Sequence, residues 1–383
     1  MCGFLVNISN ENINKSNFLN SNELIHSRGP DSTEYISGDS IETFKFMFGF
    51  KRLAILDLNK NANQPMQDLK KNYILVFNGE IYNFKVLRTE LEKKGYKFNT
   101  SHSDTEVILH GYKAWGEKVV NKLEGQFSFV IFDKKRKKIF AARDRVGQKP
   151  LYYSIDKNNI IFSSSIKSIL QLKQSNDINL ENINTYLQLG VFPSPSTAYK
   201  NINKLKNAEF LELQIDNIDS LKKSKYWDVS EFIDYQKFDY EHFTDLFSNS
   251  VKKRSNADVE ITAFLSGGLD STAIVKEAKN YIKDIKTYSI SNSNKDYDES
   301  DWIKIATQVL SLSNKTTEIN RKILLDIYDD SINAYDEPFS DSSSIPTFLV
   351  SKYMSQISKV ALSGDGGDEL LGGYERYSWS SYN

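Results

Sequence analysis

From Val259 onward the chain alternates strand and helix, and few folds accommodate that rhythm. "VEITAFLS" leads into "DSTAIVKEAKNYI", then "IKTYSIS", "ESDWIKIATQVL" and "KTTEIN". Helical periodicity follows around "ILLDIYDDSINAY" and "IPTFLVSKYMSQI", and "KVALS" is a further strand. Short apolar runs joined by amphipathic stretches predict an α/β doubly wound parallel sheet with helices on both faces. Such sheets bind ligands just past the carboxyl ends of their strands.

Two strand ends carry residues suited to ligand binding. "LSGGLDS" (Leu265 to Ser271) opens directly into a helix, and "LSGDGGDELLGGY" follows the last strand. Adjacent glycines let the backbone approach a polyphosphate, and a helix N-terminus offers free N–H groups. Ser266 and Ser271 add hydroxyl donors, and Asp270 can hold a metal ion bridging phosphates. Neither loop is a Walker GxxxxGK(S/T) sequence, and the second is not GxGxxG because Glu369 occupies its sixth position. Either loop alone reads equally as a tight strand-to-helix turn. Both together predict a two-sided nucleotide and magnesium site.

The first half has a different texture. "CGFLVNI", "FKFMFGFKRLAILDL", "YILVFNGEIYN", "GQFSFVIFD", "KIFAARD", "PLYYSI" and "NIIFSSS" read as β-segments separated by turns. Helical spacing intrudes in "FKVLRTELEKKG" and "TEVILHGYKAWG". An α+β sandwich with sheets at its centre is the expected class. The basic run "KKRKK" (Lys134 to Lys138) sits between two β-segments and reads as a solvated hairpin turn. Residues 170–245 are polar and loosely patterned, which marks the end of the first domain and a connection.

Composition removes several function classes. With 39% hydrophobic and 26% charged residues, the 383-residue chain has the profile of a globular protein of about two domains. A net charge of −1 provides no field for nucleic acid or an anionic membrane. No run of about 18 apolar residues appears, and "GFLV" lacks the flanks of a signal peptide, so a cytoplasmic protein is expected. One cysteine excludes an internal disulfide framework, and four histidines without HExxH spacing give no zinc signature.

That one cysteine is Cys2, directly behind the initiator Met. A lone cysteine is ordinarily a small buried hydrophobe. The remaining motifs change its meaning. "SGGLDS" resembles the loop of the ATP pyrophosphatases, which cleave ATP between its α- and β-phosphates. With "SGDGGDELLGGYERY" behind it, nearly the whole chain resembles the glutamine-dependent asparagine synthetases. These carry an N-terminal class II glutamine amidotransferase domain, an N-terminal-nucleophile hydrolase, before an adenine nucleotide α-hydrolase-like domain. The implied boundaries are 2–212 and 225–383.

The resemblance implies roles residue by residue. Members begin with Cys-Gly once Met is removed, so Cys2 becomes the nucleophile and its own α-amino group the base. An α-amine of pKa about 7.7–8.0 can accept a thiol proton near neutrality. In "FNGEIYN" the Asn78 amide and the Gly79 N–H would stabilise the oxyanion. Arg52 would grip the α-carboxylate of glutamine bidentately, while Asp104 and Glu80 would hold its α-ammonium. "SRGPD", "NQPM" and "ARDRVGQKPLYY" would shape the pocket. Leu265, Ser266, Gly267, Gly268, Asp270, Ser271, Ile290, Ser363 and Gly364 would line ATP, with Asp270 and Asp368 on Mg2+. Asp365 stands where some members have a Glu that handles ammonia at the adenylate. "DEPFSDSSSIPT" resembles a segment near the acceptor.

The implied reaction is asparagine formation from glutamine, aspartate and ATP, with no nucleic-acid or membrane partner. The resemblance admits a homodimer. It also admits a different acceptor carboxylate, such as a polysaccharide sugar acid, and a nucleotide fold without catalysis. Ser165 departs from the usual Glu of "SSE.K". The family also continues past "GGYERY", with a helical part that supplies a phosphate-contacting lysine. Its absence here predicts weak ATP binding, uncovered apolar helix faces and a glutaminase without synthesis.

Overall fold

Along the strands of the first half, alternate side chains enter different cores, and that period of two builds the layers. The computed structural model describes residues 2–39, 44–234, 237–375 and 377. Met1 and Arg376 of "GGYERY" lie outside the described residues. The chain divides into two units, Met1–Gln236 with Asp336–Ser340, and Lys237–Tyr335 with Asp341–Asn383.

In the first unit, β1 (Gly3–Ser9), α1 (Lys15–Glu23), β2 (Ser32–Asp39) and β3 (Lys45–Arg52) precede β4 (Met66–Gln67) and β5 (Tyr73–Ile81). Helices α2 (Phe84–Lys93), α3 (Asp104–Trp115) and α4 (Val119–Lys122) lead to β6 (Gly125–Asp133) and β7 (Lys138–Arg143). Then come β8 (Tyr152–Ile155), β9 (Asn159–Ser163), α5 (Ile166–Lys173) and α6 (Leu180–Leu189). Strands β10 (Asn203–Lys204), β11 (Glu209–Gln214) and β12 (Asn217–Lys225) complete the unit.

Two six-stranded sheets result, ordered β10-β8-β9-β1-β3-β2 and β12-β11-β7-β6-β5-β4. All pairings within them are antiparallel. Phe4, Val6 and Ile8 of β1 and Phe46, Phe48 and Phe50 of β3 meet Ile74, Val76, Val130 and Phe132 between the sheets. The intervening Leu5 and Met47 turn outward to Phe18 of α1 and Ile166 and Ile169 of α5. On the second sheet, Leu75, Phe77, Phe129 and Ile131 turn outward to Leu87 and Leu91 of α2 and Val107 and Ile108 of α3. The order is therefore helix, sheet, sheet, helix.

The "KKRKK" run forms the β6–β7 turn, with Lys137 at φ +51° and Lys135 and Arg136 exposed. The stretch 170–245 holds more regular structure than its sequence pattern predicts. Helix α6 buries none of its residues fully, and β12 is an edge strand with an exposed, polar pattern. Neither element needs an apolar stripe, so periodicity could not reveal it.

In the second unit, α7 (Tyr240–Arg254) precedes β13 (Ile261–Phe264), α8 (Leu269–Ala278), β14 (Lys286–Asn292), α9 (Ser300–Val309) and β15 (Ser313–Ile319). Helices α10 (Arg321–Asn333) and α11 (Ser344–Met354), strand β16 (Val360–Leu362) and α12 (Gly367–Leu371) follow. The four strands are all parallel, in the order β15-β14-β13-β16. Ile261, Ala263 and Leu265 pack with Val251 of α7 and Val275 and Ala278 of α8. Ile290 and Ile319 pack instead with Ile327 of α10 and Leu349 of α11. Helices thus cover both faces, as the alternation predicts.

The strand order locates the ligand crevice. From β13 the chain steps outward to β14 and β15, then returns to place β16 on the other side of β13. That reversal is a topological switch point, where the connections after two neighbouring strands diverge and leave a gap. Both Gly-rich loops lie there.

Candidate functional site

Cys2 immediately precedes β1, and its sulfur lies beside the end of β3. The thiol donates to the Leu53 carbonyl at 3.6 Å and accepts from the Leu53 N–H at 3.4 Å. Burial pushes the thiol pKa above its ordinary value, Arg52 pulls it down and Asp104 pushes it up. A thiol raised in this way needs a base to become a nucleophile.

Around it stand loops whose glycines permit close approach. A Cβ on Gly29 would lie 2.2 Å from the Lys51 carbonyl oxygen, so "SRGPD" can press against the end of β3. Asp31 completes that contact: its N–H donates to Arg52 O at 3.0 Å, and its Oδ2 accepts from Ala54 N at 2.7 Å. Arg28 of the same loop donates from Nε to the Cys2 carbonyl at 3.3 Å.

Asn78 and Gly79 follow the middle of β5. Asn78 is 0% exposed, and neither amide atom has a partner among the described residues. Leaving such a group unpaired costs about 1–3 kcal/mol, so an orphaned buried amide marks a place where a ligand supplies the partner. Gly79 has φ +152°, and a Cβ there would lie 2.0 Å from the Gln126 carbonyl oxygen. Only glycine fits. Gln64 of "NQPM" pins the strand just upstream, donating to Phe77 O at 3.2 Å and accepting from Phe77 N at 2.6 Å.

Asp104 opens α3, where the helix dipole favours a negative charge. Its Oδ2 accepts from Ile81 N at 2.9 Å, yet burial raises its pKa to about 6. Arg52 is 7% exposed, and its arrangement differs from the open fork that a bidentate grip requires. Nη1 donates to Asn59 O and Asn63 Oδ1, and Nη2 donates to Leu56 O and Asp57 O. Four of the five N–H groups are thereby spent on the loop, leaving Nε. A ligand carboxylate would meet the charge of Arg52 and its Nε, or displace loop carbonyls.

Two cations of this site were not singled out from the sequence, Arg28 and Lys149. Lys149 is 7% exposed, and burial pushes its pKa down to about 8, with Glu80 the leading charge opposing that shift. Arg28, Asp144 and Cys2 also act on it. "ARDRVGQKPLYY" is built to present it. Asp144 accepts from the Gln148 and Lys149 amides at 2.9 and 3.0 Å, and Arg143 donates to the Gly147 and Lys149 carbonyls at 2.6 and 2.7 Å. A cation inside a Gly/Pro-containing motif was the signal available.

The second unit gathers the other predicted residues. Gly267 has φ +83°, and a Cβ there would lie 2.6 Å from Ile303 N. Gly268 caps α8 without a side-chain bond, so the first N–H groups of the helix face the loop. Ser266 and Ser271 are hydrogen bonded at 3.0 Å, and Gly268 N donates to Ser266 Oγ at 3.2 Å. The loop after β16 closes against them. A Cβ on Gly364 would lie 3.2 Å from Asp270 Cβ, and one on Gly367 would lie 2.2 Å from Asp270 Oδ2. Ser363 donates to Asp365 Oδ2 at 3.0 Å.

Leu265 is buried beneath the first loop, and its backbone bonds to Tyr288 O at 2.8 Å and Ser289 Oγ at 2.6 Å. Ile290 differs from the rest, because its side chain belongs to the α10–α11 face of the sheet. Among the described residues no three His, Cys, Asp or Glu cluster as a metal site. Magnesium bound with a nucleotide needs only one or two carboxylates beside the phosphates, which Asp270 and Asp368 on the two loops suit. No helix among the described residues is long and apolar enough to cross a membrane.

Comparison with known proteins agrees with this division. Residues 1–227 match the glutamine amidotransferase domain, and residues 242–383 match asparagine synthase. A Methanocaldococcus jannaschii protein named for glutamine-hydrolysing asparagine synthetase 2 is 37% identical, over 98% of this chain and 76% of its own. The chain belongs to the glutamine-hydrolysing asparagine synthetase family, whose members are glutamine-dependent, ATP-using ligases. Asparagine synthetase 1 of Bacillus subtilis is 34% identical over 93% of this chain and 55% of its own. A Mycobacterium tuberculosis relative of the same name is 30% identical over 92% and 56%. The chain therefore spans little more than half the length of these last two family members.

Proposed function

We propose that this family member hydrolyses glutamine at Cys2 and uses the ammonia to amidate aspartate activated by ATP. The observation that carries the glutaminase reading is the buried amide of Asn78 beside Gly79, which has no partner among the described residues. With Met1 removed, the α-amine of Cys2 takes the thiol proton, and the sulfur attacks the side-chain carbonyl of glutamine. Charge gathers on the carbonyl oxygen, where the Asn78 Nδ2–H and the Gly79 N–H would meet it. Collapse breaks the C–N bond and releases ammonia, with the proton returned by the α-ammonium. Water then cleaves the thioester to glutamate and the free thiol. Asp104 and Glu80 would hold the substrate ammonium, and Arg52 its carboxylate.

In the second unit, Leu265, Ser266, Gly267, Gly268, Ser271, Ser363, Gly364 and the backbone at Ile290 would surround ATP. Mg2+ held by Asp270 and Asp368 would neutralise phosphate charge. The β-carboxylate of aspartate attacks the α-phosphorus, and pyrophosphate leaves. Ammonia then adds to the acyl-adenylate carbonyl and AMP leaves, and Asp365 would manage the proton. Confining ammonia between the two reactions keeps it from protonation in bulk water.

Two assays test the reading separately. Glutamate release from glutamine should depend on Cys2, and ATP–pyrophosphate exchange should depend on aspartate. Exchange that ignores aspartate but responds to another carboxylic acid would replace the acceptor. Loss of neither activity on Cys2→Ala would overturn the glutaminase assignment.

A further inference from the structure

The sequence "DEPFS" lies between two helices of the nucleotide-binding half, yet Asp336–Ser340 belongs to the first unit. Its polar groups are committed there one after another. Asp336 Oδ1 accepts from Ser165 Oγ at 2.7 Å, and its Oδ2 accepts from Ile166 N at 3.0 Å. Helix α5 has no cap from its own Ser165, so Asp336 supplies the N-terminal acceptor from a distant part of the chain. Glu337 accepts from Ala198 N at 2.6 Å and pairs with Lys204 at 2.8 Å. Ser340 N donates to Gly190 O at 3.0 Å.

Two routes run from Asp336 to the first residues of the mature chain. The first passes through Ser165, whose N–H donates to Ser163 Oγ at 3.1 Å. Ser163 Oγ donates to Phe4 O at 3.0 Å, Ser164 N donates to Phe4 O at 3.1 Å, and Phe4 N donates to Ser164 Oγ at 3.3 Å. Phe4 is two residues from the nucleophile, and its position on β1 aims Cys2. The second route is electrostatic. Asp336 is the leading favourable charge on Arg28, which holds the Cys2 carbonyl at 3.3 Å and whose Nη2 is enclosed without a partner among the described residues.

We propose that Asp336 is a positioning residue for glutamine hydrolysis, holding Cys2 in line through the Ser163–Ser165 clasp on Phe4 and through Arg28. The inference rests on the reading of Cys2 as nucleophile. It also accounts for a hydroxyl at position 165. A hydroxyl donates to Asp336, whereas a second carboxylate would repel it.

The test is Asp336→Asn in the full chain, with Cys2→Ala measured alongside. Asparagine keeps an acceptor for the α5 cap but removes the charge that balances Arg28. The expected result is a fall in kcat for glutamate release of about tenfold with KM within twofold, because substrate contacts remain while the nucleophile is misaligned. The groups acting on Cys2 are the N-terminal ammonium, Arg52, Asp104, Arg28 and Lys149, with Glu80 opposite Lys149. Uncompensated Arg28 should then lower the pH midpoint of Cys2 alkylation by iodoacetamide by about half a unit or more. A capping role alone would lower Tm and leave that midpoint in place. Wild-type kcat and midpoint in Asp336→Asn would overturn the proposal, whatever its Tm. Should that variant not fold, Ser165→Ala decides: a lowered kcat at unchanged KM supports the proposal, and an unchanged kcat overturns it. Activity surviving in Cys2→Ala would instead remove the underlying reading.

Discussion

Gly367 faces the carboxylate of Asp270 so closely that a Cβ on it would lie 2.2 Å from Oδ2. The two residues come from loops almost one hundred positions apart in the chain, joined because β13 and β16 are parallel neighbours. The obstructing atom is the end of a side chain, so Gly367→Ala should fold with Asp270 pushed aside. The expected outcome is ATP affinity reduced about tenfold or more, the scale of one lost charge-assisted contact. Nucleotide titration by calorimetry measures it. Glutamate release should stay at the wild-type rate, since Cys2 belongs to the other unit.

Asn78 provides a separation of stability from activity. Its amide is buried and has no partner among the described residues, which is a cost in the folded state without substrate. Asn78→Ala should lower kcat for glutamine by about 10²–10³ while leaving Tm unchanged or slightly higher. Steady-state kinetics and calorimetry on the same preparation check both halves. A large loss of Tm would show the amide to be structural.

Much of this was legible in the sequence, for reasons that particular elements make plain. Phe4, Leu5, Val6 and Ile8 alternate between two cores, and a strand buried on both faces declares itself by unbroken apolar character. The two Gly-rich loops could be paired because the strand–helix rhythm places both at strand ends. The occupied fork of Arg52 could not be read, since its partners are mostly backbone carbonyls, which any sequence supplies. Nor could the return of Asp336 to the first unit, because "DEPFS" has no periodicity and its partners lie about 140–170 residues upstream. Lys149 escaped for a similar reason. Its burial follows from the loop that Arg143 and Asp144 brace, not from its neighbours in the chain.

Asp104 gives the site a pH dependence with a definite sign. Burial raises its pKa to about 6, so the folded state favours the protonated acid. Its contribution to stability is full below the unfolded pKa of about 3.9 and is lost as pH rises through about 6. Binding of a substrate ammonium requires the ionised form. KM for glutamine should therefore rise as pH falls below about 6, approaching tenfold per unit, with kcat less affected. Asp104→Asn should raise Tm at pH 7.5 by roughly 2–5 °C and lose that advantage below pH about 4. Glutamine saturation curves and thermal melts across pH 4–8 test the two signs together.

The thiol of Cys2 and the residue before it make the final prediction. Burial raises the Cys2 pKa, and the N-terminal positive charge, the Leu53 backbone at 3.4 Å and Arg52 together offset only part of that rise. Thiolate is therefore scarce at neutral pH unless a base stands within reach of the sulfur. The four histidines of the chain are His26, His102, His110 and His242, and none has a hydrogen bond to Cys2 among the described residues. In the proposed mechanism that base is the α-amine of Cys2 itself, which exists only after Met1 is removed. Its unperturbed pKa of about 7.7–8.0 predicts that kcat/KM for glutamine rises with pH and levels off near there. Active preparations should have the intact mass of a chain beginning at Cys2. A fraction retaining Met1 should be inactive, because its nitrogen at Cys2 is an amide with no basicity. Separation of the two forms and a glutamate-release assay on each would decide it, and activity in the Met1-bearing form would rule out the α-amine as base.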